Sequence, residues 1–266
     1  MEGEGRSGVV VAAILAALFL AAAAAPAPPA APSPAARLKV KVLATHPHDP
    51  QAYTQGLVWD GGALYESAGL YGRSSLRRVA PATGLVERRI DLAPGFFAEG
   101  LALVGKRLVQ LTWQEGIAFA YDRDSFARVG EFPYQGEGWG LCYDGRRLVM
   151  SDGSDRLSFH DPVTFAAVGG IGVTLDGMPA RALNELECVG GFVYANVYQT
   201  DRILKIDPRS GRAVAEIDAS GLLSETERAA AEVLNGIAWD PRSRRFWITG
   251  KLWPKMFEVE FVPAGK

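Results

Sequence analysis

Short apolar runs alternate with polar residues along most of the chain, and one phrase recurs at intervals of roughly forty to fifty residues. Each copy has a polar or aromatic residue, a small residue and an aliphatic residue, then a turn and a second apolar run; the fourth copy is looser. The copies start at Gln55-Gly56-Leu57, Glu99-Gly100-Leu101, Trp139-Gly140-Leu141, Asn184-Glu185-Leu186 and Asn235-Gly236-Ile237. Repeats of this period, built from strands and turns, are typical of β-propellers, so the pattern predicts an all-β fold of this kind.

Each repeat continues past its first two strands. Residues 75–79 and 85–90 alternate apolar and polar positions around a turn that contains glycine, which predicts an outer hairpin with one buried face. The fifth repeat ends one strand short, whereas an orphan strand, residues 38–43, precedes the first. Pairing residues 38–43 beside residues 257–261 removes two open sheet edges. The prediction is therefore a five-bladed β-propeller closed by an N-terminal strand.

One segment breaks the strand pattern. Residues 220–234 are rich in helix formers, and Ser224 and Glu227 have the spacing of a capping box. We expect a short helix near residues 224–234, inserted before the fifth repeat.

The N-terminus differs in composition from the rest of the chain. An apolar, alanine-rich run over residues 9–25 follows Arg6 and ends in small residues, which predicts a signal peptide over residues 1–25, with an uncleaved N-terminal anchor as the alternative. Residues 26–36 are a Pro/Ala-rich linker, and residues 37–266 form the propeller domain. Both alternatives predict an exported protein, periplasmic or secreted, that meets the membrane only if the segment stays uncleaved.

Charge and cysteine content narrow the choice of partners. The formal net charge is −2 and no basic run occurs, which argues against a nucleic-acid partner. The chain has two cysteines, Cys142 and Cys188, which are too few for a disulfide framework. We expect two buried free thiols, with a bridge between neighbouring repeats as the alternative, and we expect a monomer.

The first residues of the five phrases should meet around the propeller axis. They are Gln55, Glu99, Trp139, Asn184 and Asn235, and Glu99 is the only ionisable one. A glutamate at such a position is either held by the amides as a plug or kept for proton transfer or metal binding. The second strands end on the same face and add Trp113 and Tyr198 as pocket walls and Lys251 as the one cation; the alternative is that the aromatic residues pack between the blades. By contrast, we place Glu66 at the periphery.

Other chemistries are disfavoured. His46 and His48 flank a proline without a third ligand nearby, so we interpret them as part of a turn at a strand end, and His160 as inert. No Gly-x-Ser-x-Gly elbow occurs, which argues against a Ser-His-Asp hydrolase. Residues 151–155 resemble a calcium loop only in composition.

The chain resembles the plant- and bacterial-type glutaminyl-peptide cyclotransferases, also called glutamine cyclotransferases. The likeness runs from Thr45 to Val259 through a series of long motifs in order. They include Tyr53-Thr54-Gln55-Gly56-Leu57, Phe97-Ala98-Glu99-Gly100-Leu101, Gln110-Leu111-Thr112-Trp113, Glu137-Gly138-Trp139-Gly140-Leu141, Leu183-Asn184-Glu185-Leu186-Glu187, Leu234-Asn235-Gly236-Ile237-Ala238 and Thr249-Gly250-Lys251-Leu252-Trp253-Pro254.

This resemblance implies a five-bladed propeller and an aminoacyltransferase that closes N-terminal glutaminyl residues of peptides to pyroglutamate and releases ammonia. It implies that Glu99 is the essential glutamate, and that the remaining pocket positions are Tyr53, Gln55, Phe97, Trp113, Trp139, Asn184, Tyr198 and Lys251. Three residues depart from the family pattern: Tyr53 where Phe is common, Ala98 in place of Gly, and Tyr198 in place of Trp. These departures put substrate fit in doubt more than the reaction.

The expected mechanism needs good geometry and one proton shuttle. Glu99 would carry the proton, Asn184, Gln55 and Lys251 would hold the amide and the developing oxyanion, and no metal or other cofactor would be required. With Glu99 ionised in the free enzyme, the rate should rise from about pH 6 to 8 as the amine loses its proton. Two alternatives remain: a calcium-dependent propeller hydrolase or lactonase, and a non-catalytic propeller scaffold that binds a protein.

Overall fold

The computed structural model describes Met1 and residues 33–265. Two compact units divide the chain, Met1–Ser33 and Pro34–Lys266, and the fold described below belongs to the second. The predicted signal peptide or anchor, residues 1–25, lies outside the described residues apart from Met1, as does the linker up to residue 32. Among the described residues, there is no helix with the length and apolar character that crossing a bilayer requires.

The chain enters through strand β1 (Ala36–Pro47) and then builds three separate four-stranded antiparallel sheets, each in chain order. The first sheet is β2 (Thr54–Asp60), β3 (Ala63–Ala68), β4 (Ser75–Val79) and β5 (Val86–Asp91). The second is β6 (Ala98–Val104), β7 (Arg107–Thr112), β8 (Ile117–Asp122) and β9 (Arg128–Pro133). The third is β10 (Leu141–Tyr143), β11 (Leu148–Ser151), β12 (Arg156–His160) and β13 (Ala167–Gly172).

The remaining strands join β1 in one ten-stranded sheet. They are β14 (Thr174–Leu175), β15 (Met178–Pro179), β16 (Leu183–Val189), β17 (Phe192–Val197), β18 (Arg202–Asp207), β19 (Arg212–Asp218), β20 (Leu234–Asp240), β21 (Arg245–Gly250) and β22 (Lys255–Pro263), with helix α1 (Glu225–Ala230) before β20. The strand order is β16-β17-β18-β19-β1-β22-β21-β20, with β14 beside β19 and β15 beside β14. The described residues are thus all-β with one short helix, as the alternating pattern predicted.

The N-terminal strand lies between the two halves of this large sheet. β1 pairs antiparallel with β22, from Leu38 opposite Pro263 to Pro47 opposite Lys255, and this confirms the predicted pairing of residues 38–43. Its first four residues, 36–39, also pair in parallel with β19. β1 therefore covers the edges of both neighbouring strands, which would otherwise expose unpaired backbone groups.

The recurring glycine of the phrase has a packing reason. A Cβ at Gly56 would lie 2.5 Å from the backbone nitrogen of Leu101, and one at Gly100 would lie 2.5 Å from that of Leu141. Each first strand therefore passes too close to the next for any side chain at this point. In the fourth copy Glu185 replaces the glycine, and its carboxylate accepts hydrogen bonds from the backbone N–H groups of Leu57 (3.1 Å) and Ile237 (2.9 Å).

The apolar core lies between neighbouring sheets. Between the first two, Tyr65 and Leu76 pack in one cluster with Leu101, Leu108 and Phe119, all buried. Because neighbouring sheets cover both faces, β3 and β7 are buried along nearly their whole length.

The expectation of two free thiols was wrong, and the alternative, a bridge between neighbouring repeats, is what the structure shows. Cys142 on β10 and Cys188 on β16 form a disulfide, with their Cα atoms 5.5 Å apart. The two strands belong to neighbouring sheets and run side by side, which brings residues 46 positions apart in sequence within bonding reach.

The inserted helix is present but shorter than predicted. Ser224 caps it, and both hydrogen bonds of the capping box with Glu227 form. The helix stops at Ala230 instead of residue 234, because the next residues pair with the end of β21. The Glu232 N–H donates to the Lys251 carbonyl, and the Lys251 N–H to the Val233 carbonyl, both at 2.9 Å.

Candidate active site

The nine residues that the family resemblance implied for the site line one pocket. The pocket has a volume of about 280 Å³ and lies where the first strands begin and the second strands end; its lining residues are Tyr53, Gln55, Phe97, Glu99, Trp113, Trp139, Asn184, Tyr198 and Lys251. The close passage of the first strands positions this set, since it brings the first residues of successive phrases to one place.

A chain of amide contacts fixes the side chain of Glu99. The Gln55 Nε2 donates to Glu99 Oε1 at 2.7 Å. The Asn235 Nδ2 in turn donates to Gln55 Oε1 at 3.1 Å and to the Thr54 carbonyl at 2.9 Å. Asn235, the fifth predicted ring residue, therefore orients Gln55 and does not itself line the pocket.

Glu99 is buried, with 4% of its surface exposed. Its second oxygen, Oε2, has no hydrogen-bond partner among the residues that the structure describes. Burial raises the pKa of Glu99 well above its ordinary value; Lys251 lowers it, while the negative charges of Glu137 and Glu115 raise it further. Burial thus favours the protonated form of Glu99, and its Oε2 lacks the hydrogen bond that a buried polar atom normally makes.

Lys251 and Asn184 are the other polar groups of the pocket. The Lys251 Nζ lies 4.8 Å from the ring centre of Tyr53 and 5.0 Å from that of Tyr198, in cation–π contact with both. Burial lowers the pKa of Lys251, and the carboxylates of Glu99 and Glu232 oppose this effect. Asn184 is buried too, and its Oδ1 accepts no hydrogen bond from any described residue.

Aromatic rings form the pocket walls. The Phe97 ring makes edge contacts with Tyr53 (centroids 6.1 Å apart) and Trp113 (5.6 Å). Across the pocket Trp139 meets Tyr198 edge to face, at 5.4 Å. Trp139 lies flat on Gly153, where a Cβ would come within 2.6 Å of the indole. These apolar surfaces suit the aliphatic part of a side chain and exclude water.

Three glutamates accept hydrogen bonds from the N–H or hydroxyl groups of aromatic residues in or beside the pocket walls. None of the three had a role assigned from the sequence. Glu137 accepts from the indole N–H groups of both Trp113 (2.8 Å) and Trp139 (2.9 Å). Glu232 accepts from the Tyr53 hydroxyl at 2.8 Å, and Glu115 from the Tyr71 hydroxyl at 2.7 Å. The sequence feature that could have pointed to a role for Glu137 is its position two residues before Trp139, the first residue of the third phrase.

Glu66 is not peripheral, contrary to the sequence-based expectation. It is 1% exposed, and its Oε1 lies 2.8 Å from both His48 Nε2 and the Thr54 hydroxyl. His48 also contacts the Trp253 carbonyl through Nδ1 at 2.7 Å, so the turn that contains it is anchored by a buried ion pair.

His160 is buried, contacts the Phe165 carbonyl at 3.0 Å and stacks on the Phe165 ring, away from the pocket lining. Among the described residues, no group of three or more His, Cys, Asp or Glu side chains is placed to hold a metal ion.

The pocket therefore combines apolar walls, one buried carboxyl group with a free oxygen, a buried ammonium group and an amide. Such a set can enclose a short side chain, bind an amine and a carboxamide, and move a proton between two nitrogens.

The chain is similar to known proteins over most of its length. The family model described as glutamine cyclotransferase matches residues 11–261. A glutaminyl-peptide cyclotransferase of Arabidopsis thaliana is 42% identical over 232 residues, which are 85% of this chain and 72% of the relative. The crystal structure of Myxococcus xanthus glutaminyl cyclase is 41% identical, with a TM-score of 0.79; the match covers 87% of this chain and 100% of that chain.

Proposed function

Because the chain belongs to the glutamine cyclotransferase family, we propose that the pocket around Glu99 closes the N-terminal glutaminyl residue of a peptide to pyroglutamate. The activity is that of a glutaminyl-peptide cyclotransferase, with ammonia as the second product. The observation that carries the site assignment is Glu99 itself, a buried lining residue of the aromatic pocket whose Oε2 lacks a partner among the described residues.

Substrate binding follows from the shape and polarity of the pocket. Phe97, Trp113 and Trp139 enclose the two methylene groups of the glutaminyl side chain and keep it curled toward its own amine. The reaction forms a five-membered ring within one residue, so a fixed, curled conformation removes much of the entropic cost of reaching the transition state.

Glu99 carries the proton. The α-amine attacks the side-chain carbonyl carbon, and the nitrogen that forms the new bond must lose a proton while the departing nitrogen must gain one. Oε2 of Glu99 takes the first proton and returns it to the leaving group, so that neutral ammonia departs and the carboxylate is regenerated. Since one carboxyl group performs both transfers, we propose that the reaction needs no metal ion.

The environment of Glu99 suits this exchange. An α-amino group titrates near about 7.7–8.0, and burial raises the pKa of Glu99 above its ordinary value. A carboxylate with a raised pKa is a stronger base, so it takes the proton more readily from the nitrogen that forms the new bond. The reaction needs both Glu99 and the amine in their deprotonated forms. Because the pKa of Glu99 is raised, the pH profile of the rate has two limbs, one from Glu99 and one from the amine, in place of the simple rise from about pH 6 to 8.

Gln55 takes a different role from the one expected. Its Oε1 accepts from Asn235 and its Nε2 donates to Glu99, so it orients the carboxyl group. Contact with the substrate amide is left to Asn184 and Lys251, the other two polar residues of the pocket lining. Lys251 supplies the positive charge that stabilises the oxyanion developing on the carbonyl oxygen.

The finer architecture is part of the proposal. Strands β2, β6, β10, β16 and β20 contact one another in sequence order, and β20 contacts β2. This supports a five-bladed propeller in which the ten-stranded sheet is two blades joined through β1, with β1 as the fourth strand of the last blade. An experimental structure with six or more units around the axis would contradict it.

We also propose that the protein is exported and monomeric. The apolar leader predicted over residues 1–25 and the Cys142–Cys188 disulfide both support export, since disulfides persist in oxidising compartments. Fractionation that finds the protein only in the cytoplasm, or light scattering that gives a dimer mass, would contradict this part.

Ammonia release from a glutaminyl dipeptide tests the function. We expect release and formation of a pyroglutamyl product, at the same rate with and without excess chelator. An asparaginyl dipeptide is the matched control, because it has the same amine and amide but would need a strained four-membered ring. No release from the glutaminyl dipeptide would refute the function, and loss in chelator that is restored by zinc or calcium would refute the metal-free mechanism.

A further inference from the structure

The aromatic residues of the pocket walls form a closed ring of side-chain contacts that includes two charged residues. Phe97 contacts Tyr53 and Trp113, while Trp139 contacts Tyr198. The cation Lys251 joins Tyr53 to Tyr198 at one end. The carboxylate of Glu137 joins the two tryptophans at the other.

The contact at Glu137 is unusually specific. A single oxygen, Oε2, accepts from both indoles, at 2.8 Å from Trp113 and 2.9 Å from Trp139. The other oxygen, Oε1, accepts from Gln114 at 3.0 Å, so the carboxylate is held on both sides. The backbone directly after Glu137 is held as well, because the Gly138 N–H donates to the Trp113 carbonyl at 2.8 Å.

We propose that Glu137 is a positioning residue of the cyclotransferase: its carboxylate sets the distance between the Trp113 and Trp139 walls and adds a negative charge beside Glu99. The inference rests on the proposed function of the pocket. Charge-assisted hydrogen bonds are roughly twice as strong as neutral ones, so a carboxylate fixes the two indoles better than an amide does. Its charge also contributes to the raised pKa of Glu99.

Two substitutions at this position separate distance from charge. Glu137→Gln removes the charge but keeps an oxygen that can accept from the indoles. Glu137→Met has a similar shape without charge or acceptor. Because small misplacements of substrate-positioning groups cost up to about 10²-fold in rate, we expect Glu137→Met to lower kcat/KM by about 10- to 100-fold, and Glu137→Gln by no more than about 10-fold.

The pH profile of kcat/KM reports the charge. In both Glu137 variants the limb that belongs to the enzyme shifts to lower pH, since a negative neighbour of Glu99 is gone. The limb that belongs to the substrate amine stays in place. Glu115→Gln is the matched charge control: Glu115 also raises the pKa of Glu99 but bonds Tyr71 instead of an indole. It should shift the same limb with a smaller loss of kcat/KM than Glu137→Met.

Near-UV circular dichroism and tryptophan fluorescence of the free enzyme read the indoles without any turnover. We expect a changed indole signal in Glu137→Met and an unchanged one in Glu115→Gln. Glu131→Gln, at an exposed residue of β9, should match the unsubstituted enzyme in every measurement.

A folded Glu137→Met variant with unchanged indole signals, or with kcat/KM within twofold of the unsubstituted enzyme, would overturn the inference. If Glu137→Met fails to fold, Glu137→Gln tests the inference instead, through the position of the Glu99 limb in its pH profile of kcat/KM. If the unsubstituted enzyme releases no ammonia, the proposed function fails instead, and the indole signals still test whether Glu137 holds the walls.

Discussion

Replacing Glu99 by Gln tests the mechanism with the smallest change of shape. The side-chain oxygen of the new glutamine still accepts the 2.7 Å hydrogen bond from Gln55, while the side-chain amide NH₂ group takes the place of Oε2. An acceptor that can carry a proton thus becomes a donor that cannot. General acid–base groups contribute about 10²–10⁴-fold, so kcat should fall by that factor, equivalent to about 2.7–5.4 kcal/mol of transition-state stabilisation.

The same substitution should stabilise the fold at neutral and alkaline pH. In the folded protein the pKa of Glu99 is raised, so its contribution to stability is greatest below the ordinary carboxyl pKa of 4.5 and is lost as pH rises through the folded-state pKa. A tenfold change in the acid dissociation constant corresponds to about 1.4 kcal/mol. Glu99→Gln should therefore unfold at higher denaturant concentration than the unsubstituted protein at about pH 8, and the difference should vanish near about pH 4.

The assays are steady-state ammonia release across the pH range and urea unfolding at two pH values. Residual turnover of Glu99→Gln should follow the titration of the substrate amine alone, because the enzyme limb of the profile is lost. A folded variant with near-normal kcat would refute the assignment of the proton shuttle, and a loss of stability at high pH would refute the account of the buried carboxyl group.

Two further predictions concern stability. Replacing Cys142 and Cys188 together by Ala should lower the free energy of unfolding by about 2–5 kcal/mol, since the bridge closes a loop with a sequence separation of 46, whereas kcat at low temperature should be kept. Equal urea midpoints with and without the bridge would contradict this. His48→Gln should cost about 3–5 kcal/mol, most strongly near about pH 5–6. Burial by itself lowers the pKa of His48, but Glu66 raises it above the ordinary 6.5, and Glu66 itself, although burial raises its pKa, is held below 4.5 by His48. The stabilisation from His48 is lost as pH rises above 6.5, and that from Glu66 is lost as pH falls below 4.5. If the difference in unfolding free energy between His48→Gln and the unsubstituted protein grows at high pH, the proposed role of the pair is contradicted.

The repeat in the sequence determined the strand-rich fold and most of the pocket. The first residue of each phrase follows the same local pattern, so Gln55, Glu99, Trp139 and Asn184 could be placed together before any coordinates were known. Equivalent positions of a repeat meet because each unit buries its apolar faces against its neighbours in the same way. The closing strand was predictable for a related reason, as an unpaired strand at one end matched a missing strand at the other.

Contacts between units were decided only by the tertiary structure. The burial of Glu66 with His48 and the shared contact of Glu137 with two indoles join residues whose local sequence carries no sign of the partner. The choice between free thiols and a Cys142–Cys188 bridge, which the sequence left open, was also decided by the structure. Glu66 and Glu137 have the polar side chains of ordinary surface positions, and a pattern of polar and apolar residues cannot tell a solvated carboxylate from one satisfied by a distant donor. That distinction depends on which strands become neighbours, and therefore on the packing of the whole chain.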